Sequence, residues 1–193
     1  MVGFAGLSVV VGVLLATRGG GSDETELRKG ETLHEAPAFR FVVPSGWVAV
    51  ENGDGDPGTP VVYLLDDDSE EARAHVDDGL SPVAVLRTPP GPASPEQRAV
   101  DAADNARQSG EQLGFPIDVA GARRLDGRVD GEEAWSSETA FDQPSGGPRV
   151  RYSSIFFAHD GVDYEIRVET RAERFAFVEE WVVARLLESW RWT

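Results

Sequence analysis

The residues with the strongest claim to chemistry carry oxygen and come in clusters. Asn52-Gly53-Asp54-Gly55-Asp56 spaces three side-chain oxygens like the first half of a calcium loop, and hard cations take such ligands. Pro57 stands where that loop needs its turning glycine, and Tyr63 where it needs a bidentate glutamate. The segment therefore reads as a surface turn. Asp66-Asp67-Asp68-Ser69-Glu70-Glu71 is a dense acidic run, read as a solvated loop rather than a site for a cation or a basic partner. Two carboxylates could also share the acid and base roles of a glycosidase-type hydrolysis. With 34 acidic residues in 193, the mere closeness of two acids selects no pair.

Nucleophile and metal chemistry find little to use. There is no cysteine, so disulfides, thiolate ligands and cysteine nucleophiles are all excluded. His34, His75 and His159 stand far apart. His34 falls in a polar stretch and His159 at a hairpin tip, which argues against a shared metal or a catalytic triad. No Gly-x-Ser-x-Gly elbow occurs, and Gly19-Gly20-Gly21 lacks the Lys and Ser/Thr of a phosphate loop. No catalytic, cofactor-binding or metal-ligating residue is expected. Three tryptophans gather at the end of the chain. Trp181 is expected in the core. Trp190 and Trp192 alternate like a short closing strand, one buried and one partly exposed. These two are the candidate contacts for a partner or ligand, because an exposed tryptophan beside a groove is a good anchor.

The formal net charge is −16. Such a surface repels nucleic-acid phosphates and anionic head groups, so nucleic acid is not an expected partner. The hydrophobic and charged shares, 40% and 27%, are those of a globular chain, here one monomeric domain with a full core.

The elements that must position these residues follow from the pattern. Residues 2–16 form an uncharged run. As a helix it reaches roughly 22 Å, short of a ~30 Å hydrocarbon core, and it reads as a signal or anchor segment over 1–18. Leu15, Ala16 and Thr17 fit the end of a bacterial lipoprotein signal, but Arg18 occupies the place of the lipid-bearing cysteine. The expectation is an uncleaved anchor, or secretion after an atypical cleavage. Residues 19–37 read as a flexible polar tether, with the domain at 38–193.

Within that domain Phe39, Phe41 and Val43 open a strand, Pro44-Ser45-Gly46 turns it and 47–50 returns it. Strands are expected at 61–65, 83–88, 117–125 and 134–141, with Asp126-Gly127 and Asp130-Gly131 as turns. Ser94-Pro95-Glu96-Gln97 carries the N-cap, first-turn proline and capping-box glutamine of a helix. Ala99, Ala102, Ala103 and Ala106 give that helix a narrow apolar face. The most regular stretch is 149–192: a strand apolar on both faces, the Asp160-Gly161 hairpin turn, and an alternating strand from Val162. A helix follows there, with Phe175, Val178, Trp181, Val182 and Leu186 on its apolar face. The fold class is α+β: a mostly antiparallel sheet of seven to eight strands flanked by two main helices, an α/β sandwich.

Phe39-Arg40-Phe41-Val42-Val43-Pro44-Ser45-Gly46-Trp47 resembles the opening of PsbP-like and Mog-type domains. It is similar in particular to the LpqN-type lipoproteins of actinobacteria. Asp130-Gly131-Glu132-Glu133-Ala134 and the ending at 184–192 fit the same pattern, as does the helix between the fourth and fifth strands. The resemblance covers 38–193 and implies an antiparallel sheet flanked by helices. It also implies a binding or accessory protein with no shared catalytic residues.

Anchor, tether and compact domain together give the expected function: a non-catalytic, extracytoplasmic, membrane-tethered accessory protein of the bacterial cell envelope. It would contact a protein partner or a small apolar ligand. The alternative is an extracytoplasmic hydrolase using carboxylates, which requires two acids converging in a deep cleft.

Overall fold

The computed structural model describes residues 26–52, 60–66, 82–88, 91–143 and 146–193. The apolar run, the lipoprotein-like residues 15–18, residues 19–25, the turn residues Asp54 and Asp56, the acidic residues 67–71 and His75 lie outside the described residues.

Among the described residues, every strand pairing is antiparallel. The large sheet has seven strands in the order β3 (Val48–Glu51), β4 (Pro60–Leu65), β5 (Val83–Thr88), β9 (Val162–Arg171), β8 (Arg149–His159), β7 (Glu132–Asp142) and β6 (Ile117–Val129). A three-stranded sheet joins β1 (Thr32–Glu35), β2 (Phe39–Val43) and β10 (Arg191–Trp192). Helix α1 (Pro95–Leu113) packs on β6, β7 and β8. The second helical stretch runs from α2 (Ala172–Phe177) through a π turn (Val178–Val183) into α3 (Ala184–Ser189). The sandwich expected from the pattern is therefore present.

The 162–171 alternation divides the layers. Tyr164, Ile166 and Val168 face a core shared with Phe39, Phe41, Phe157, Phe175, Val182, Leu186 and Trp190. On the opposite face of the sheet Tyr63, Leu65, Ala84 and Leu86 form a smaller cluster. Both faces of β8 are covered, as its doubly apolar pattern demanded, and residues 153–157 are all buried.

Helix α1 begins as its capping residues predict: the Ser94 Oγ accepts the Gln97 N–H at 3.2 Å. It ends at Gly114 in the left-handed conformation, whose N–H donates to the Gly110 carbonyl. Ala99, Ala103 and Gly110 are its buried residues. A Cβ on Gly110 would lie 3.0 Å from the Phe115 carbonyl oxygen and 3.0 Å from Ile117 Cγ1. Ile117 can shift, but the carbonyl is backbone. Gly110→Leu should therefore cost about 2–3 kcal/mol, in the upper range for overpacking, whereas Gly114→Asn, which can keep the left-handed cap, should cost little. Thermal unfolding of the two variants checks this.

Four expectations are corrected. Residues 26–37 were expected in the tether, yet Thr32–Glu35 is a strand paired with β2. An edge strand needs only a backbone partner, so its polar side chains gave no signal. Pro44-Ser45-Gly46 does not close a hairpin, since β2 and β3 belong to different sheets. Asp126-Gly127 is no turn but lies inside β6, between Arg124 and Arg128 where the register to β7 shifts. Trp181 is 58% exposed rather than core. It follows Phe177 by four residues, while the buried stripe takes Val178, Val182 and, through the wider π turn, Val183 as well.

Candidate functional site

The two tryptophans singled out from sequence lie together but play different parts. Trp190 is 0% exposed. Its ring stacks on Phe39 at 4.4 Å and Phe41 at 5.6 Å, and meets Phe157 edge-on at 5.2 Å. A side chain with no accessible surface cannot meet a partner, so the contact expectation is corrected for Trp190, which belongs to the core. Trp192, half-buried, packs 5.4 Å away. His159 lies flat on it, 4.1 Å between ring centres and 3° between planes.

This corner is assembled by turns. The Asp160-Gly161 turn carries His159, and the Asp130-Gly131 turn comes alongside it. Both turns have positive φ at both residues, the conformation of a tight hairpin. The Asp130 Oδ2 accepts the Trp192 backbone N–H at 2.9 Å. The His159 Nδ1 is 2.9 Å from Glu132 Oε1, and its Nε2 is 3.5 Å from Asp160 Oδ2. The result is an aromatic plate with carboxylates at its edge, suited to binding by stacking and charge.

A second polar group lies beneath α1. Asp163 and Glu165, on the face of β9 turned to α1, are buried. The Asp163 Oδ2 accepts the Arg98 guanidinium of α1 and, at 3.1 Å, the Gly91 N–H. The Glu165 Oε1 accepts the Ser154 hydroxyl at 2.6 Å and Arg167 Nε at 3.2 Å, while Oε2 accepts Arg167 Nη2 at 3.2 Å. Burial pushes the neighbouring Tyr152 phenol pKa up, and the charge of Glu165 adds to that. Hydrolysis by two acids needs one that delivers a proton and one free to act on water or substrate. Here an arginine is bonded to each. No group of three potential metal ligands occurs among the described residues.

His34 is a further titratable group of interest. It packs on Phe41 at 5.0 Å, and its Nε2 has no hydrogen bond and lies 3.9 Å from Glu51 Oε1. Burial lowers its pKa, partly offset by the charge of Glu51. A histidine that resists protonation only when folded binds fewer protons in the native state than in the unfolded one. Stability is therefore full above the ordinary value of about 6.5 and declines as pH falls below it. The slope cannot exceed about 1.4 kcal/mol per pH unit for one proton. His34→Phe should flatten the stability profile between pH 7 and 5, measured by urea unfolding at each pH.

One feature escaped the sequence reading altogether. Phe177, 51% exposed, and Trp181 stand four residues apart on the outer face of the second helical stretch. Four residues on from Trp181, Arg185 is bound to the segment that enters the domain: its Nη2 donates to the Glu26 carbonyl at 2.8 Å and to Glu31 Oε2 at 2.8 Å, and its Nε to Glu31 Oε1 at 3.0 Å.

No family model and no curated protein matches the sequence. Solved structures match the fold. The solution structure of cyanobacterial PsbP (CyanoP) from Synechocystis sp. PCC 6803 aligns with a TM-score of 0.52 at 14% identity, over 90% of this chain and 98% of that one. The crystal structure of LpqN, involved in cell envelope biogenesis of Mycobacterium tuberculosis, aligns with a TM-score of 0.50 at 13% identity, over 84% of this chain and 90% of that one. The fold is thus PsbP-like and similar to that of LpqN, as the Pro-Ser-Gly-Trp opening implied.

Proposed function

We propose that this chain is a non-catalytic accessory protein of the bacterial cell envelope, held outside the cytoplasm by its apolar N-terminal segment, and that it works by binding a protein partner. The observation that carries the reading is the pairing of the buried acids. Asp163 is bonded to Arg98, Glu165 to Arg167 and Ser154, and Glu31 to Arg185. Each of these three charges is used in holding one element to another, which favours surface contact as the route to function. The description of LpqN in cell envelope biogenesis supports the compartment.

A small apolar ligand would need space between sheet and helix. There Trp190, Phe41, Phe157, Phe175 and Leu186 are fully buried against one another, which favours a protein partner. The contact we assign to it is the Trp192 ring with its stacked His159, braced from beneath by Trp190.

The test is fractionation of cells expressing the full chain, with protease added to intact spheroplasts. Recovery in the membrane fraction with a protease-accessible domain supports the reading. Recovery in the cytosol overturns it.

A further inference from the structure

We infer that the Phe177–Trp181 face of the second helical stretch rests in the head-group layer of the membrane to which the chain is tethered. The inference relies on the tether proposed above and adds the orientation of the domain.

Three observations carry it. First, two large rings, 51% and 58% exposed, lie four residues apart on one helix face. Other aromatic side chains of that region, Phe175 and Trp190, are 0% exposed. A tryptophan gains most where one side of its ring meets acyl chains and its N–H meets water, as at a bilayer surface.

Second, the chain enters the domain beside this face. Arg185 follows Trp181 by four residues and holds the Glu26 carbonyl and the Glu31 carboxylate. Only residues 17–25, nine in all, separate Glu26 from the uncharged run at 2–16. Ten chain steps from Ala16 to Glu26 span at most about 36 Å. A bilayer that takes up the run therefore lies within that distance of Glu26, and the helix face beside Arg185 is a surface it can reach.

Third, charge sets the mode of contact. Glu173, Glu180 and Glu188 are exposed on the same helical stretch, and Arg174 is bonded to Asp66. With a chain of net charge −16, attraction to anionic lipid is not available. The contact is insertion of the rings into a zwitterionic head-group layer, where burying apolar surface is the driving term.

The experiment reconstitutes the full chain in phosphatidylcholine vesicles with and without lipids brominated high on the acyl chain. Tryptophan emission is compared for the unaltered chain and Trp181→Phe, with circular dichroism as the control for folding. The expected result is that bromine quenches the unaltered chain and that the quenched component disappears in Trp181→Phe. If the chain floats with the vesicles but the two proteins are quenched equally, the inference is overturned and the tether stands. If Trp181 is shielded from acrylamide yet not quenched by bromine, a second copy of the chain covers the face, which also overturns it. If the chain does not float with vesicles at all, the tether itself fails, and this inference with it.

Discussion

Replacing Trp190 by alanine lowers the free energy of unfolding by about 3–5 kcal/mol, the cost of emptying a large aromatic site in a core. The melting temperature falls by roughly 6–20 °C, at about 2–4 °C per kcal/mol for a domain of this size. The ring is fully buried and touches Phe39, Phe41, Phe157, Tyr164 and Trp192. Those rings come from both sheets, so the cavity cannot close by moving one side chain. Stacking adds about 0.5–1.5 kcal/mol per aromatic pair beyond burial, which places the loss toward the upper end. Trp190→Phe is the informative companion. The Trp190 Nε1 has no hydrogen-bond partner, so removing the indole N–H sacrifices no bond, and a phenyl ring keeps part of the stack. A cost of about 1–2 kcal/mol is expected. Trp181→Ala, at an exposed position, should stay within about 0.5 kcal/mol. Chemical denaturation of the three variants measures all of this, and equal losses at 181 and 190 would contradict the placement of the two rings.

That contrast marks the limit of what the residues disclose alone. The strand from Val162 and the Asp160-Gly161 turn were legible because alternation and turn chemistry are local, and the cap at Ser94 was legible for the same reason. The helix after Arg171 was legible together with most of its inward face, Phe175, Val178, Val182 and Leu186, and only Trp181 was misplaced. Phe177 with Trp181 and Val178 with Val182 are both spaced by four residues. Val178 and Val182 were read inward, as found, and only the packing, with its π turn, sets Trp181 on the outer side with Phe177. Likewise Thr32–Glu35 has no apolar alternation, because a four-residue edge strand is defined by its backbone bonds to β2. Among the site residues, one buried and one partly open tryptophan were expected at 190 and 192, but type and spacing did not say which; Trp190 is the buried one and Trp192 the partly open one. Pro44-Ser45-Gly46-Trp47 showed the fold family more clearly than it showed the local path. The same tripeptide can close a hairpin or, as here, carry the chain from one sheet to the next.

Arg185→Leu should detach the entering segment without unfolding the rest. The Arg185 and Glu31 side chains are only 10% and 6% exposed, and they are joined by two bonds. Removing Arg185 leaves the Glu31 carboxylate with the Arg28 N–H and costs less than the ~3–5 kcal/mol of a fully buried pair. The Glu26 carbonyl loses its partner as well. Residues 26–35 are held besides by the short ladder from β1 to β2, so releasing them costs less than global unfolding. The loss then appears as local opening, since a protein yields first along its least costly cooperative unit. Hydrogen exchange should show β1 amides losing protection while β8 and β9 amides keep theirs. Equal loss in all three strands would mean that the segment is integral to the core. The double variant Glu31→Leu/Arg185→Leu should recover much of the protection, because an apolar pair of similar size avoids the stranded charge. Acid should act in the same direction. The Arg185 guanidinium holds the Glu31 carboxyl below its ordinary value, so the stabilisation is full above about pH 4.3 and is lost as pH falls through the lowered value. His34 begins to weaken the same strand at higher pH, from about 6.5 downward. Both groups lie in the segment joining the apolar run to the domain, so acidification should free that segment in two steps. The double variant Glu31→Leu/Arg185→Leu, which keeps the strand docked without the titrating acid, should remove the lower step, and His34→Phe the upper one.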